Sequence, residues 1–192
     1  MAEPVVVAAL GDSLTHGYGL AMDDGFVPEM QRWLTSQGSE VRLINAGVSG
    51  DTTQGGLARV DWTLTPDVDA MIVTLGGNDA LRGIDPAVSR ANLAGILEAA
   101  KAREVAVLLI GMKAPLNYGD DYKVAFDGMY GALSEEYETL LAPDFFEGLR
   151  GIEAQDLGGV MQDDGLHPNP VGVDMVVEVL GPYVVKLVET VK

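Results

Sequence analysis

Cysteine is absent from this chain of 192 residues, and histidine occurs only twice, as His16 and His167. The first absence excludes disulfides, thiolate nucleophiles and Cys-based zinc or iron–sulfur sites together, so a covalent nucleophile must be of another type. The second narrows any imidazole base to two positions. Basic residues are also scarce, 12 Lys plus Arg against 29 Asp plus Glu, a formal net charge of −17. Such a surface repels polyanions and shows no basic patch, which argues against nucleic acid and anionic membranes as partners.

No apolar run approaches the roughly 18 residues that a membrane-spanning helix needs. The run Val5 to Leu10 is likewise too short for the core of a signal peptide. Ala2-Glu3-Pro4 suits the mature end of an exported chain whose signal a start Met has replaced, so a periplasmic or secreted protein is expected, with the cytoplasm as the alternative. No G-x-G-x-x-G follows the first apolar run and no G-x-x-x-x-G-K-[ST] occurs, so a phosphate-binding nucleotide domain is disfavoured and no cofactor is expected.

What is present is apolar material for a core: 47% hydrophobic residues with 21% charged. That content over residues 1–192 fits a single domain, without repeat, linker or low-complexity tract. Short runs without polar alternation, Val5 to Leu10, Val41 to Ile44, Met71 to Leu75 and Val105 to Ile110, predict strands buried on both faces, as in a parallel sheet. Helical spacing separates them. Phe26, Met30, Trp33 and Leu34 form one apolar stripe that Gly38 can terminate, and Leu57, Val60 and Leu64 form another. Asp85-Pro86 caps a third helix carrying Leu93, Ile96, Leu97 and Ala100. A fourth carries Tyr122, Phe126, Met129, Tyr130, Leu133, Tyr137 and Leu140, and a last follows Pro170. Alternating strands and helices predict a doubly wound, three-layer α/β/α sandwich, in which ligands bind beyond the carboxyl ends of the strands.

The residues following the predicted strands are Gly11-Asp12-Ser13-Leu14, then Asn45-Ala46-Gly47-Val48-Ser49-Gly50-Asp51, then Gly76-Gly77-Asn78-Asp79. Asp163-Asp164-Gly165-Leu166-His167-Pro168-Asn169 precedes the last helix. Each alone reads as turn chemistry; gathered at one rim they supply the parts of acyl transfer. Asp164, three residues before His167, can reach Nδ1 of its imidazole and leave Nε2 free to take a proton, whereas His16 lacks a nearby partner in sequence. Ser13 and Ser49 are the candidate nucleophiles. Ser13 is favoured, at the end of a central strand and the mouth of a helix or turn, while Ser49 reads as a loop hydroxyl bonding backbone. Gly47 and Asn78 qualify as oxyanion donors and equally as a turn glycine and an Asx turn.

These four motifs, in this order and spacing and extending over the whole chain, resemble the SGNH or GDSL hydrolases, and within them the bacterial thioesterase-I-like arylesterases and lysophospholipases. The resemblance implies a flavodoxin-like, five-stranded parallel sheet with a shallow, open site. It implies an esterase acting on small-molecule aryl and short-to-medium acyl esters, with acyl-CoA, lysophospholipids and acetylated sugars as alternatives. Ser13, Asp164 and His167 match its catalytic positions, and Ser13, Gly47 and Asn78 its oxyanion hole. Leu116 and Tyr118, in the loop after the fourth strand, could then line the acyl pocket.

Two rival readings use the same rim. A response-regulator-like module would act through Asp12 and leave Asn78 and the Asp164/His167 pair unexplained. A metal phosphoesterase would use Asp12, Asp51, Asp79, Asp164 and His167, but scarce histidine and the lack of a dense ligand motif disfavour it, and no metal is expected. The acid excess bears on substrate as well. Polyanionic acyl-CoA should be captured slowly unless Lys113 or Arg82 offsets the field, which favours neutral esters.

Overall fold

The computed structural model describes residues 4–191. Met1 to Glu3, on which the expectation of export partly rests, lie outside the described residues. Five parallel strands form one sheet: β1 Val5–Gly11, β2 Val41–Gly47, β3 Ala70–Thr74, β4 Ala106–Ile110 and β5 Leu140–Ala142, in the spatial order β2-β1-β3-β4-β5. This is the flavodoxin-like order of a doubly wound sheet. Every residue of β1 and β3 is buried, which is why both read as continuous apolar runs. At the sheet edge, β2 is largely half-buried and its apolar run breaks sooner.

The longer helices are α2 Phe26–Ser36, α3 Thr53–Thr63, α5 Pro86–Lys101, α6 Asp120–Tyr137 and α7 Pro170–Glu189, and the short ones α1 Ser13–His16 and α4 Gly77–Leu81. They cover both faces of the sheet: α2 packs with α7, while α3, α5 and α6 pack in a row. Asp85 accepts from the Ala87 N–H at the start of α5, and Asn169 accepts from the Gly172 N–H at the start of α7, so both predicted helix starts carry side-chain caps. Among the described residues no helix is long and apolar enough to cross a membrane.

Leu140 is a correction: it belongs to β5, not to the helix face on which its spacing placed it. Helix α6 ends at Tyr137 because Glu138 turns into the left-handed region at φ 56° and donates its N–H to the Ser134 carbonyl. Glycine normally marks such a stop, and none stands there.

Register decides where the rim lies. Gly11 pairs with Gly47 of β2 and with Thr74 of β3, so three strands end at one level and their loops emerge side by side. Ile110 pairs with Ala142 at the other half of the sheet. The loop before α7 is closed on itself by an antiparallel bridge between Met161 and Pro168, with Gln162 N–H donating to His167 O at 2.8 Å and Asn169 N–H to Val160 O at 2.9 Å. Gln162 also donates its side-chain amide to Tyr18 O at 2.8 Å, tying this loop to the segment after α1.

Candidate active site

At the carboxyl rim Ser13 is the first residue of α1, set there because Asp12 leaves the β1 end and caps the turn through Leu14 N–H at 3.0 Å. His167 Nε2 lies 2.8 Å from Ser13 Oγ, across 154 residues of sequence. Its Nδ1 lies 2.6 Å from Asp164 Oδ2. The other Asp164 oxygen accepts from the backbone N–H groups of Leu166 at 2.9 Å and His167 at 3.0 Å. Hydrogen bonding to His167, side chain first and then backbone, together with the Leu166 N–H, draws the Asp164 carboxyl down to about 2. A carboxylate thus stays charged against Nδ1 while Nε2 faces a hydroxyl. The Tyr18 ring flanks the imidazole at 4.8 Å between centroids.

These groups open into a cavity of about 540 Å³ whose lining includes Ser13, His167, Asn78, Gly50, Met112 and Phe146. Asn78 Nδ2 donates to Asp51 O at 2.9 Å and makes a longer contact of 3.3 Å to Asp12 Oδ2. Asp12 is buried, and burial pushes its carboxyl up to about 6 despite the opposing Leu14 N–H, the charge of His167 and the Asn78 amide. Arg59 stitches the rim together, donating from Nε to Asp51 Oδ2 at 2.6 Å, from Nη1 to Ala46 O at 2.6 Å and from Nη2 to Gly11 O at 2.8 Å. Asp79 is fully buried and receives Thr53 N–H at 2.9 Å, Thr53 Oγ1 at 2.6 Å and Ser89 Oγ at 2.8 Å, locking α4 to α3 and α5.

Ser13, Asp164, His167 and Asn78 therefore meet as expected from their positions, and three other readings are corrected. Gly47 is not at the cavity. It is the last residue of β2, its N–H is taken by Asn45 Oδ1 at 2.9 Å, and a Cβ there would lie 2.3 Å from His16 N. Gly50, three residues on, lines the cavity at φ 85° with no acceptor for its N–H among the described residues. Leu116 and Tyr118 do not line it either. Leu116 is 67% exposed, and Tyr118 donates to Leu81 O at 3.1 Å beside the Tyr122 ring. Their loop contributes Met112, Lys113, Ala114 and Pro115 instead. Finally, Ser49 bonds a side chain rather than backbone: its Oγ sits 3.0 Å from Nδ1 of His16, 33 residues away in sequence.

Two side chains of the rival metal reading are engaged by other partners, Asp51 by Arg59 and Asp79 by Thr53 and Ser89. No group of three or more His, Asp and Glu side chains able to hold a metal ion occurs among the described residues.

Fold and site together define a serine hydrolase of the α/β/α type. Comparison with known proteins makes the class specific. The model of the GDSL-like lipase/acylhydrolase family matches residues 9–175. The esterase TesA of Pseudomonas aeruginosa is 42% identical over 160 residues, covering 83% of this chain and 77% of the relative. Thioesterase 1/protease 1/lysophospholipase L1 of Escherichia coli is 38% identical over 162 residues, covering 83% of this chain and 74% of the relative. Among solved structures, that of AlinE4, an SGNH-hydrolase family esterase, superposes with a TM-score of 0.80 at 44% identity, covering 97% of each chain. The chain belongs to the GDSL-like lipase/acylhydrolase family and is a carboxylic ester hydrolase.

Proposed function

We propose that the protein is an esterase for neutral aryl and short-to-medium acyl esters, working as a single domain through an acyl-enzyme on Ser13. The observation that carries this reading is the unbroken chain from Asp164 Oδ2 through His167 to Ser13 Oγ, with contacts of 2.6 and 2.8 Å. His167 Nε2 takes the hydroxyl proton as Ser13 Oγ attacks the carbonyl carbon, and Asp164 fixes the tautomer and stabilises the imidazolium. The oxyanion is received by the N–H groups of Ser13 and Gly50 and by Asn78 Nδ2, which Asp51 O holds in orientation. His167 then gives its proton to the departing alcohol, and water repeats the sequence on the acyl-enzyme.

Support for neutral esters comes from charge. With a net charge of −17, a polyanionic acyl-CoA meets repulsion that Lys113 at the cavity offsets only locally. The E. coli relative carries thioesterase and lysophospholipase in its name, so thioesters and lysophospholipids remain the competing substrates of the same site.

The experiment is hydrolysis of p-nitrophenyl esters of increasing acyl length by the wild type and by Ser13→Ala, His167→Ala, His16→Ala and Asn78→Ala. Loss of about 10³-fold or more is expected for Ser13→Ala and His167→Ala. A fall of about 10²- to 10³-fold in kcat is expected for Asn78→Ala. Activity that survived His167→Ala and vanished in His16→Ala would overturn the assignment of the base.

A further inference from the structure

Beside the catalytic cavity lies a second one of about 450 Å³, whose lining includes Leu149, Leu157, Gly158 and Met161 with the Asp144–Arg150 pair, Gln162 and Asp163. The two cavities share two lining residues, Asp144 and Phe146. Asp144 is fixed: it is buried, accepts the Phe146 N–H at 3.2 Å and holds Arg150 Nη2 at 2.9 Å. Phe146 is half-buried as the second residue of a short 3₁₀ turn, Phe145–Leu149, with its ring edge-on to Phe145 at 5.2 Å. Phe146 is the apolar side chain common to both linings, and beyond it Leu149, Leu157 and Met161 stand beside the polar Arg150, Gln162 and Asp163.

We propose that Phe146 is a specificity-determining partition, which keeps the far end of an aliphatic chain too long for the catalytic cavity out of the apolar compartment behind it. The inference rests on the esterase reading above. It goes beyond that reading in naming the wall that limits chain length. The chain can enter from the acyl or from the alcohol side of the ester, because both meet at Ser13. Each methylene that reaches the second compartment leaves water at about 0.8 kcal/mol, so two account for roughly a tenfold gain.

The test measures kcat/KM for two ester series, p-nitrophenyl esters of butyrate to palmitate and acetate esters of butanol to hexadecanol. The enzymes are wild type, Phe146→Ala, Phe146→Leu, and Phe146→Ala combined with Gly158→Phe. A Cβ at Gly158 meets nothing within 4 Å, so the added ring has room to fill the far compartment. The expected result is a rise of about tenfold or more for the longest chains of one series relative to its shortest member, carried by KM. The series that responds identifies the arm, and Gly158→Phe cancels the gain. Phe146→Leu gives a smaller shift in the same direction and decides the matter if the alanine variant folds poorly. An unchanged chain-length profile, or a gain that Gly158→Phe leaves intact, overturns the inference. Failure of the wild type to hydrolyse either series would instead overturn the esterase reading.

Discussion

Asp12 sits between the nucleophile and an oxyanion donor, and its ionisation has a cost that can be measured. Because burial lifts its carboxyl from the ordinary 3.8 to about 6, the native state holds a proton that the unfolded chain has already lost over that interval. Stability is therefore lost as pH rises from about 4 to about 6, by about 3 kcal/mol at most from this one group, and is flat above. Asn caps a helix as well as Asp does and cannot ionise. Urea unfolding at pH 4, 5, 6 and 7 should show Asp12→Asn gaining on the wild type as pH rises; a constant difference across that range would contradict the account. At this scale the reactive residues were legible because catalysis demands scarce types in tight spacing: one of two histidines, a carboxylate three residues away, a serine after a strand. The oxyanion glycine was not. Gly47 and Gly50 are both glycines after the β2 run, and the difference is that β2 continues to Gly47 to stay in register with Gly11. Tyr18 and Phe146 left no signal, since aromatics in loops cover cores as readily as they line cavities.

The elements converge on Arg59, a side chain of α3 that reaches the ends of β1 and β2 and the loop bearing Gly50. Arg59→Met keeps the aliphatic stem but leaves the half-buried Asp51 carboxylate and two carbonyls without their donor. The expected cost is about 2 to 3 kcal/mol in chemical unfolding. A fall in kcat of roughly 10- to 100-fold is expected as well, because nucleophile and oxyanion loops lose their common anchor. Unchanged kcat in a destabilised Arg59→Met would show that the clamp serves folding alone. Element identity followed from period: runs buried on both faces for β1, β3 and β4, and apolar stripes for the helices. Leu140–Ala142 escaped because three residues carry no period, and because Glu138 ends α6 in a conformation that sequence assigns to glycine.

For the whole molecule, the doubly wound arrangement and its rim follow from the alternation of strand and helix patterns. The charge of −17 belongs to no one site. It predicts that kcat/KM for an acyl-CoA rises with added salt, as screening shortens the Debye length from ~30 Å at 0.01 M to ~10 Å at 0.1 M, while a neutral ester of equal acyl length is indifferent. Acyl-CoA turnover that is fast at low ionic strength and not improved by salt would remove charge from the ranking of substrates.

All of this rests on Ser13 as the group that is acylated. The direct measurement is covalent trapping with a p-nitrophenyl alkylphosphonate, followed by mass spectrometry of the intact protein and of its peptides. One equivalent of p-nitrophenol released, one phosphonyl group on the peptide containing Ser13, and no labelling of Ser13→Ala is the predicted result. Phosphonylation at Ser49, or labelling and turnover that persist in Ser13→Ala, would contradict it.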